Sequence, residues 1–163
     1  MRRIQIVPVS RKREMKNLLD EYLTELSWFD PDIKFDDNGL PVYKWFDSYW
    51  VDKDRYPFYL VVDGMVAGIA MIRELDSMLY EFAEFYVCPE YRKDGNAMWF
   101  ATEITNLFDG QFVFSTRFSN PRAIRFWGKF AKKFGYNEYF DDEIWRNWNV
   151  GKAEQLSFDN NIE

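Results

Sequence analysis

Apolar positions follow two alternating spacings along the chain, and each change of spacing marks a change of element. Ile4 to Val9 alternates with a period of two and predicts a first strand. Ser10, an N-cap residue type, then precedes Met15, Leu18, Leu19, Tyr22 and Leu26 at helical spacing. Between Trp28 and Tyr56 the pattern turns aromatic and acidic. It is interrupted by Pro31 and by Asn38-Gly39-Leu40-Pro41, and Val42, Trp45, Phe46, Tyr49 and Trp50 predict a short helix with one apolar face. Pro57 to Val62 and Met65 to Ile72 read as strands joined by Asp63-Gly64, the pair suited to a two-residue type I′ hairpin turn. A third strand covers about Met78 to Val87. The helix after it buries Ala97, Phe100, Ala101, Ile104, Leu107 and Phe108 and stops at Asp109-Gly110, and Gln111 to Phe118 is again a strand. Strand, helix, strand implies a parallel crossover. Asn120 and Pro121 open a helix running to Phe134 with Ala123, Phe126, Trp127, Phe130 and Phe134 inward, and residues 137–149 and about 154–159 predict a terminal hairpin.

Composition narrows the function classes. With 163 residues and 47% hydrophobic content, the chain predicts one domain spanning 1–163 with a single core. No apolar run approaches the roughly 20 residues of a membrane span, which predicts a cytoplasmic protein with no membrane partner. Histidine is absent and Cys88 is the lone cysteine, so His-based catalysis, a disulfide and a structural zinc site are excluded, and no metal is expected. A net charge of −6 argues against nucleic acid as a partner. The charge is also unevenly spread. Residues 18–90 hold five Lys/Arg against sixteen Asp/Glu, whereas residues 91–133 hold eight against three. The basic stretch suits phosphates, and the acidic one suits a cationic ligand or a solvated surface.

Glu84 to Ala97 combines these signals. An aromatic strand ends at Cys88-Pro89, Gly95 permits a close bend, and a helix begins at about Ala97, whose first N–H groups attract a diphosphate. The spacing Arg92-x-x-Gly95-x-Ala97 resembles the pyrophosphate motif of the GNAT N-acetyltransferase superfamily. The run Asn120-Pro121-Arg122-Ala123-Ile124-Arg125-Phe126-Trp127 with Phe134-Gly135-Tyr136 resembles a second motif of that superfamily, in the same order. Upstream, Tyr49-Trp50, Arg55 to Gly64 and Ala67-Gly68 resemble a bacterial branch of predicted acetyltransferases.

The resemblance implies an α/β (α+β) fold, a mixed central sheet flanked by helices with a splayed parallel strand pair. It places the acceptor side at about 18–90 and the acetyl-CoA-binding core at about 78–136. It implies acetyl-CoA as co-substrate, with the backbone of Phe85, Tyr86 and Val87 along the pantetheine arm. Arg92, Lys93, Asp94, Gly95, Asn96 and Ala97 would hold the diphosphate, with Asn120, Phe126 and Trp127 on the neighbouring helix. The expected activity is direct acetyl transfer to an amine, most simply a small cationic molecule, with a protein amine as a second acceptor class and a homodimer as a possible assembly. A catalytically silent acyl-CoA-binding module is the competing expectation, because Trp127 stands where many members carry a Tyr acid and an indole N–H offers no practical proton. Tyr86, Tyr43, Tyr49, Tyr136 or water could serve instead. Deprotonating an amine of pKa ~10.4 calls for a base, and Glu81 and Glu84 lie on the strand beside the cofactor. Glu81 takes precedence by its position relative to Val87; a β-bulge would favour Glu84.

Overall fold

A computed structural model describes residues 1–141 and 143–151. The elements run β1 (Arg2–Ile6), α1 (Lys12–Leu26), β2 (Arg55–Val62), β3 (Met65–Asp76), β4 (Leu79–Val87), α2 (Asn96–Leu107), β5 (Gln111–Arg117), α3 (Pro121–Ala131), β6 (Gly135–Asp141) and β7 (Trp145–Gly151). The strands hydrogen-bond in the order β1-β2-β3-β4-β5-β7-β6, the mixed α/β architecture that the motif order implies. No helix among the described residues is long and apolar enough to cross a membrane. Two compact units divide the described residues, 1–73 with 83–97 and 74–82 with 98 onward, so β3 and β4 run through both.

In the first unit β1 and β2 pair antiparallel, Arg2 opposite Val62 through Ile6 opposite Phe58. The strand is shorter than the alternation suggests because Pro8 has no N–H for the ladder and opens a single 3-10 turn over Val9–Arg11. That turn absorbs Ser10, so α1 starts at Lys12 with Arg11 at its N-cap and no side-chain cap. The β2–β3 hairpin forms as its turn residues require, with Asp63 at φ 48 and Gly64 at φ 82. Tyr59, Val61, Ile69, Met71, Tyr86 and Cys88 alternate onto one sheet face and pack with Met15, Leu19 and Leu23 of α1. Gly68 lets strands close up, since a Cβ there would stand 2.5 Å from the Tyr86 carbonyl oxygen. The helix expected across Val42 to Trp50 shrinks to a 3-10 turn at Asp47–Trp50. Phe46 and Tyr49 are buried while Val42 and Trp45 stay exposed, since the three-residue period of a 3-10 turn puts positions 46 and 49 on one face.

In the second unit the start of β4 pairs parallel with β5, Leu79 opposite Gln111 through Glu81 opposite Val113, with α2 as the crossover. Phe82, Phe112, Phe114, Trp127, Phe130 and Trp148 form its buried aromatic centre. The terminal hairpin differs from expectation: β6 spans Gly135–Asp141 and β7 Trp145–Gly151, paired from Gly135 opposite Gly151 to Asp141 opposite Trp145. Its bend falls inside the stretch expected to be one strand, with Glu143 at φ 56 and Ile144 N–H on the Asp141 carbonyl. No glycine marks that turn in the sequence. Residues 154–159 lie outside the described residues.

Candidate functional site

The turn between β4 and α2 is built by backbone conformations that few side chains adopt. A 3-10 turn at Pro89–Tyr91 takes the chain off β4, and Asp94 (φ 57) and Gly95 (φ 69) then follow each other in the left-handed region before α2 begins at Asn96. Two side chains fix this bend. Asn96, 4% exposed, donates from Nδ2 to the Tyr91 carbonyl at 2.9 Å, and Arg2 donates to the Asp94 carbonyl at 2.9 Å and to Asn96 Oδ1 at 3.4 Å. Lys93 accepts from the Asn96 N–H at 3.1 Å. Outward the bend is open: a Cβ at Gly95 would meet nothing within 4 Å. The first N–H groups of a helix have no intrahelical partner and such a corner can accept an anion, although here the Asn96 N–H is already taken by the Lys93 carbonyl.

Arg92 stands at this turn, with its side chain directed elsewhere. Its Nη2 bonds both oxygens of Glu25 at 2.9 and 3.0 Å, and its Nε donates to the Val87 carbonyl at 2.8 Å. Its guanidinium also lies 5.4 Å over the Tyr86 ring.

Of the two candidate carboxylates, Glu81 is the last β4 residue in the ladder with β5, opposite Val113. Phe82 to Val87 lie beyond that ladder. Glu84 shares strand parity with Tyr86 and Cys88, whose side chains lie on the α1 face. There the Tyr22 hydroxyl lies close to the Glu84 carboxylate and to the Phe85 N–H. Tyr22 packs on Tyr86 with ring centroids 5.6 Å apart. Burial first, and the Glu84 charge second, push the Tyr22 phenol well up. Tyr43 and Tyr49 feel the same carboxylate: burial chiefly raises Tyr43 and takes Tyr49 to about 12, with Arg55 opposing in both. Tyr43 and Arg55 both approach the buried Tyr49 hydroxyl, but neither completes a well-aligned hydrogen bond with it. Tyr86 is raised to about 12, mainly by burial.

Among the residues of α3, Asn120 caps the helix, its Oδ1 accepting from the Ala123 N–H at 3.2 Å. Trp127 is 7% exposed and packs on Phe114 at 4.5 Å and Phe82 at 5.2 Å between ring centroids, while Phe126 is half-buried. Tyr136 is 40% exposed at the start of β6. Arg2, Tyr22, Glu25 and Arg55 carry much of the local geometry, yet no motif marks the first three, and Arg55 falls only within the upstream resemblance, without a role. Only the helical spacing of Tyr22 gave a signal, and that signal was core.

The family model for the acetyltransferase (GNAT) family matches residues 15–132, most of the chain. No curated protein sequence matches it significantly. Among solved structures it is similar to the ribosomal-protein alanine N-acetyltransferase from Escherichia coli, with TM-score 0.65, 15% identity, and 94% of this chain and 96% of that one covered. A chimera of the spermidine N-acetyltransferase SpeG from Vibrio cholerae and hSSAT gives TM-score 0.65 and 15% identity over 95% and 98% of the two chains. A structure from Bacillus anthracis in complex with acetyl coenzyme A gives 0.53 and 13% over 64% and 66%. At these identities the likeness concerns the fold. The two motifs, the turn they build and the family match together place this chain in the acetyltransferase (GNAT) family.

Proposed function

We propose that the protein transfers an acetyl group from acetyl-CoA to the amine of a small molecule held in its cationic form. The observation that carries this reading is the Asp94–Gly95 bend: two successive left-handed residues, clamped by Arg2 and Asn96 and open outward at Gly95, in a member of the GNAT family. The Bacillus structure with acetyl coenzyme A and the spermidine enzyme among the fold relatives support this cofactor and acceptor type. When bound, acetyl-CoA supplies an activated thioester.

The chain's own residues do the rest. The turn's N–H groups between Lys93 and Ala97, other than that of Asn96, which bonds the Lys93 carbonyl, orient the diphosphate. Glu84 is the proposed base, because the Tyr22 hydroxyl adjoins its carboxylate and Tyr43 and Tyr49 lie in its field. It takes the proton from the ammonium. The freed amine forms a C–N bond to the thioester carbonyl carbon as the C–S bond breaks; the nitrogen gives its second proton to water, and the departing thiolate takes one up from water and leaves as the thiol. The acidic composition of residues 18–90 favours an ammonium at this site, and the tyrosine rings add cation-π attraction.

Thiol release from acetyl-CoA with pooled amines tests the reading. Wild type is expected to turn over, and Glu84→Gln to lose ~10²- to 10⁴-fold in rate with CoA binding retained. Equal loss in Glu81→Gln would move the base to that residue. Binding without turnover over a broad panel would favour a non-catalytic acyl-CoA module, a reading motivated by Trp127 lying buried among Phe82 and Phe114.

A further inference from the structure

Arg55 opens β2 with a side chain only 10% exposed, and its charge is poorly answered. The guanidinium carbon lies 5.2 Å from the Trp45 ring and 5.4 Å from the Tyr49 ring. Its Nε is buried without a hydrogen bond, and its ion-pair partner Asp52 stands 3.6 Å away with its own side chain 48% exposed. A half-solvated carboxylate at that distance compensates little, and rings answer the face of a guanidinium rather than its donor edge. Burying the Nε donor of an arginine without a partner is costly, and here the imperfectly aligned Tyr49 hydroxyl and the distant Asp52 stand near the guanidinium, so an oxyanion would complete what they leave unanswered. A planar guanidinium steadied by flat rings is the group suited to bidentate recognition of a carboxylate or phosphate.

The location adds a second constraint. Tyr43 and Tyr49 feel Arg55 and Glu84 with opposite signs, and the Tyr49 hydroxyl is itself buried without a well-formed bond. The tyrosine pair thus lies within reach of both a cation and the proposed base. A molecule that carried only ammonium groups would be repelled by Arg55. One with an amine at one end and an oxyanion at the other would satisfy both charges and the orphaned hydroxyl.

The geometry points to Arg55 as an anion subsite for the acceptor, which makes the substrate class a small amine that also bears a carboxylate or phosphate, such as an amino acid or an amino-alkyl phosphate. This rests on the acetyl-transfer reading and sharpens its acceptor from a simple cation to a zwitterion.

Matched acceptors separate the two ideas: an ω-amino acid, its methyl ester, the alkylamine of equal length and the corresponding amino-alkyl phosphate, each followed by thiol release. The acid or the phosphate is expected to exceed ester and alkylamine in kcat/KM by at least about tenfold, as a charge-assisted pair allows. Whichever leads identifies the oxyanion. Arg55→Met should bring the ratio of acid to ester close to one, and Arg55→Lys, which keeps charge but lacks the fork, should fall between. The Lys variant carries the test if the Met variant does not fold. Equal rates for acid, phosphate and ester would overturn the subsite while leaving acetyl transfer intact. No release with any acceptor would overturn acetyl transfer; the same acids titrated into the protein by calorimetry then decide the subsite, with Arg55-dependent heat supporting it and none overturning it.

Discussion

Arg92 and Glu25 stand 67 residues apart in the chain and meet through one guanidinium nitrogen that bonds both carboxylate oxygens, at 2.9 and 3.0 Å. Both side chains are about three-quarters buried, and the same arginine ties back to the Val87 carbonyl. The last turn of α1 is therefore fastened to the end of β4 just before the phosphate turn. In this chain the motif arginine braces the turn through Glu25, and only the backbone of the turn is left for the proposed diphosphate.

That pairing predicts a stability effect. Arg92→Met removes both bonds to the three-quarters-buried Glu25 carboxylate, and should cost ~1–3 kcal/mol. Glu25→Gln should cost less, because an amide still accepts one bond. The double variant should fall short of the sum of the singles by about 1 kcal/mol or more in urea unfolding. Additivity within ~0.3 kcal/mol would mean that the pair does not act as a unit.

Gly95 and Gly64 allow backbone strain to be separated from ligand access. Both have positive φ, +69 and +82, and a Cβ at either meets nothing within 4 Å of protein. Alanine at either position should therefore cost a similar ~1–2 kcal/mol. Gly64 lies in the β2–β3 hairpin turn, whereas at Gly95 the added methyl would project into the corner proposed to receive the diphosphate. CoA affinity measured by calorimetry should drop about tenfold or more in Gly95→Ala, equivalent to ~1.4 kcal/mol, and stay at the wild-type value in Gly64→Ala. Equal CoA affinity in the two variants would remove the corner from the binding site.

The parts legible in the sequence were those set by local chemistry. Asp63-Gly64 defines a hairpin, Gly95 a left-handed bend, and Asn120-Pro121 a capped helix start; each works within a few residues, and each forms as expected. What could not be read depends on contacts between distant segments. Helical spacing placed Tyr22 in the core, but only the fold brings its hydroxyl to Glu84 and the Phe85 amide. Trp45 fits an α-helical face with Phe46 and Tyr49, yet it is 47% exposed because the segment winds as a 3-10 turn, whose period of three keeps 46 and 49 inward and leaves 45 outside. The bend between β6 and β7 carries no glycine, so a strand–turn–strand there read as one strand.

Tyr22 is a positioning residue for the proposed base, and Tyr22→Phe isolates its hydroxyl while keeping the ring packed on Tyr86. A carboxylate that loses a donor holds its proton more tightly. Because the base must be ionised, the acid limb of the rate profile should move to higher pH. A bond to a charged group is worth ~1.5–3 kcal/mol, so the movement should be about one to two pH units. CoA affinity should be preserved. A uniform fall in rate with an unmoved acid limb would assign Tyr22 a packing role only.

Cys88 supplies a pH dependence with a definite sign. Its side chain is 5% exposed on the α1 face, and burial first, then the charges of Glu90 and Glu21, push the thiol up to about 11. An unfolded cysteine ionises near ~8.5, so above that pH the unfolded chain gains a favourable ionisation that the folded chain resists until about 11. The thiol's contribution to stability is thus intact below pH ~8.5 and is lost as pH climbs toward 11. In Cys88→Ala that part of the alkaline loss should vanish, leaving the loss due to the buried phenols of Tyr22, Tyr43, Tyr49 and Tyr86, which have the same sign. At pH 8 the folded thiolate fraction is on the order of 10⁻³, so iodoacetamide should label the native protein slowly and the urea-unfolded protein quickly. Native labelling at pH 8 as fast as in urea would show that the thiol is neither buried nor raised, and would remove it from the packed face that holds Tyr86 beside Tyr22.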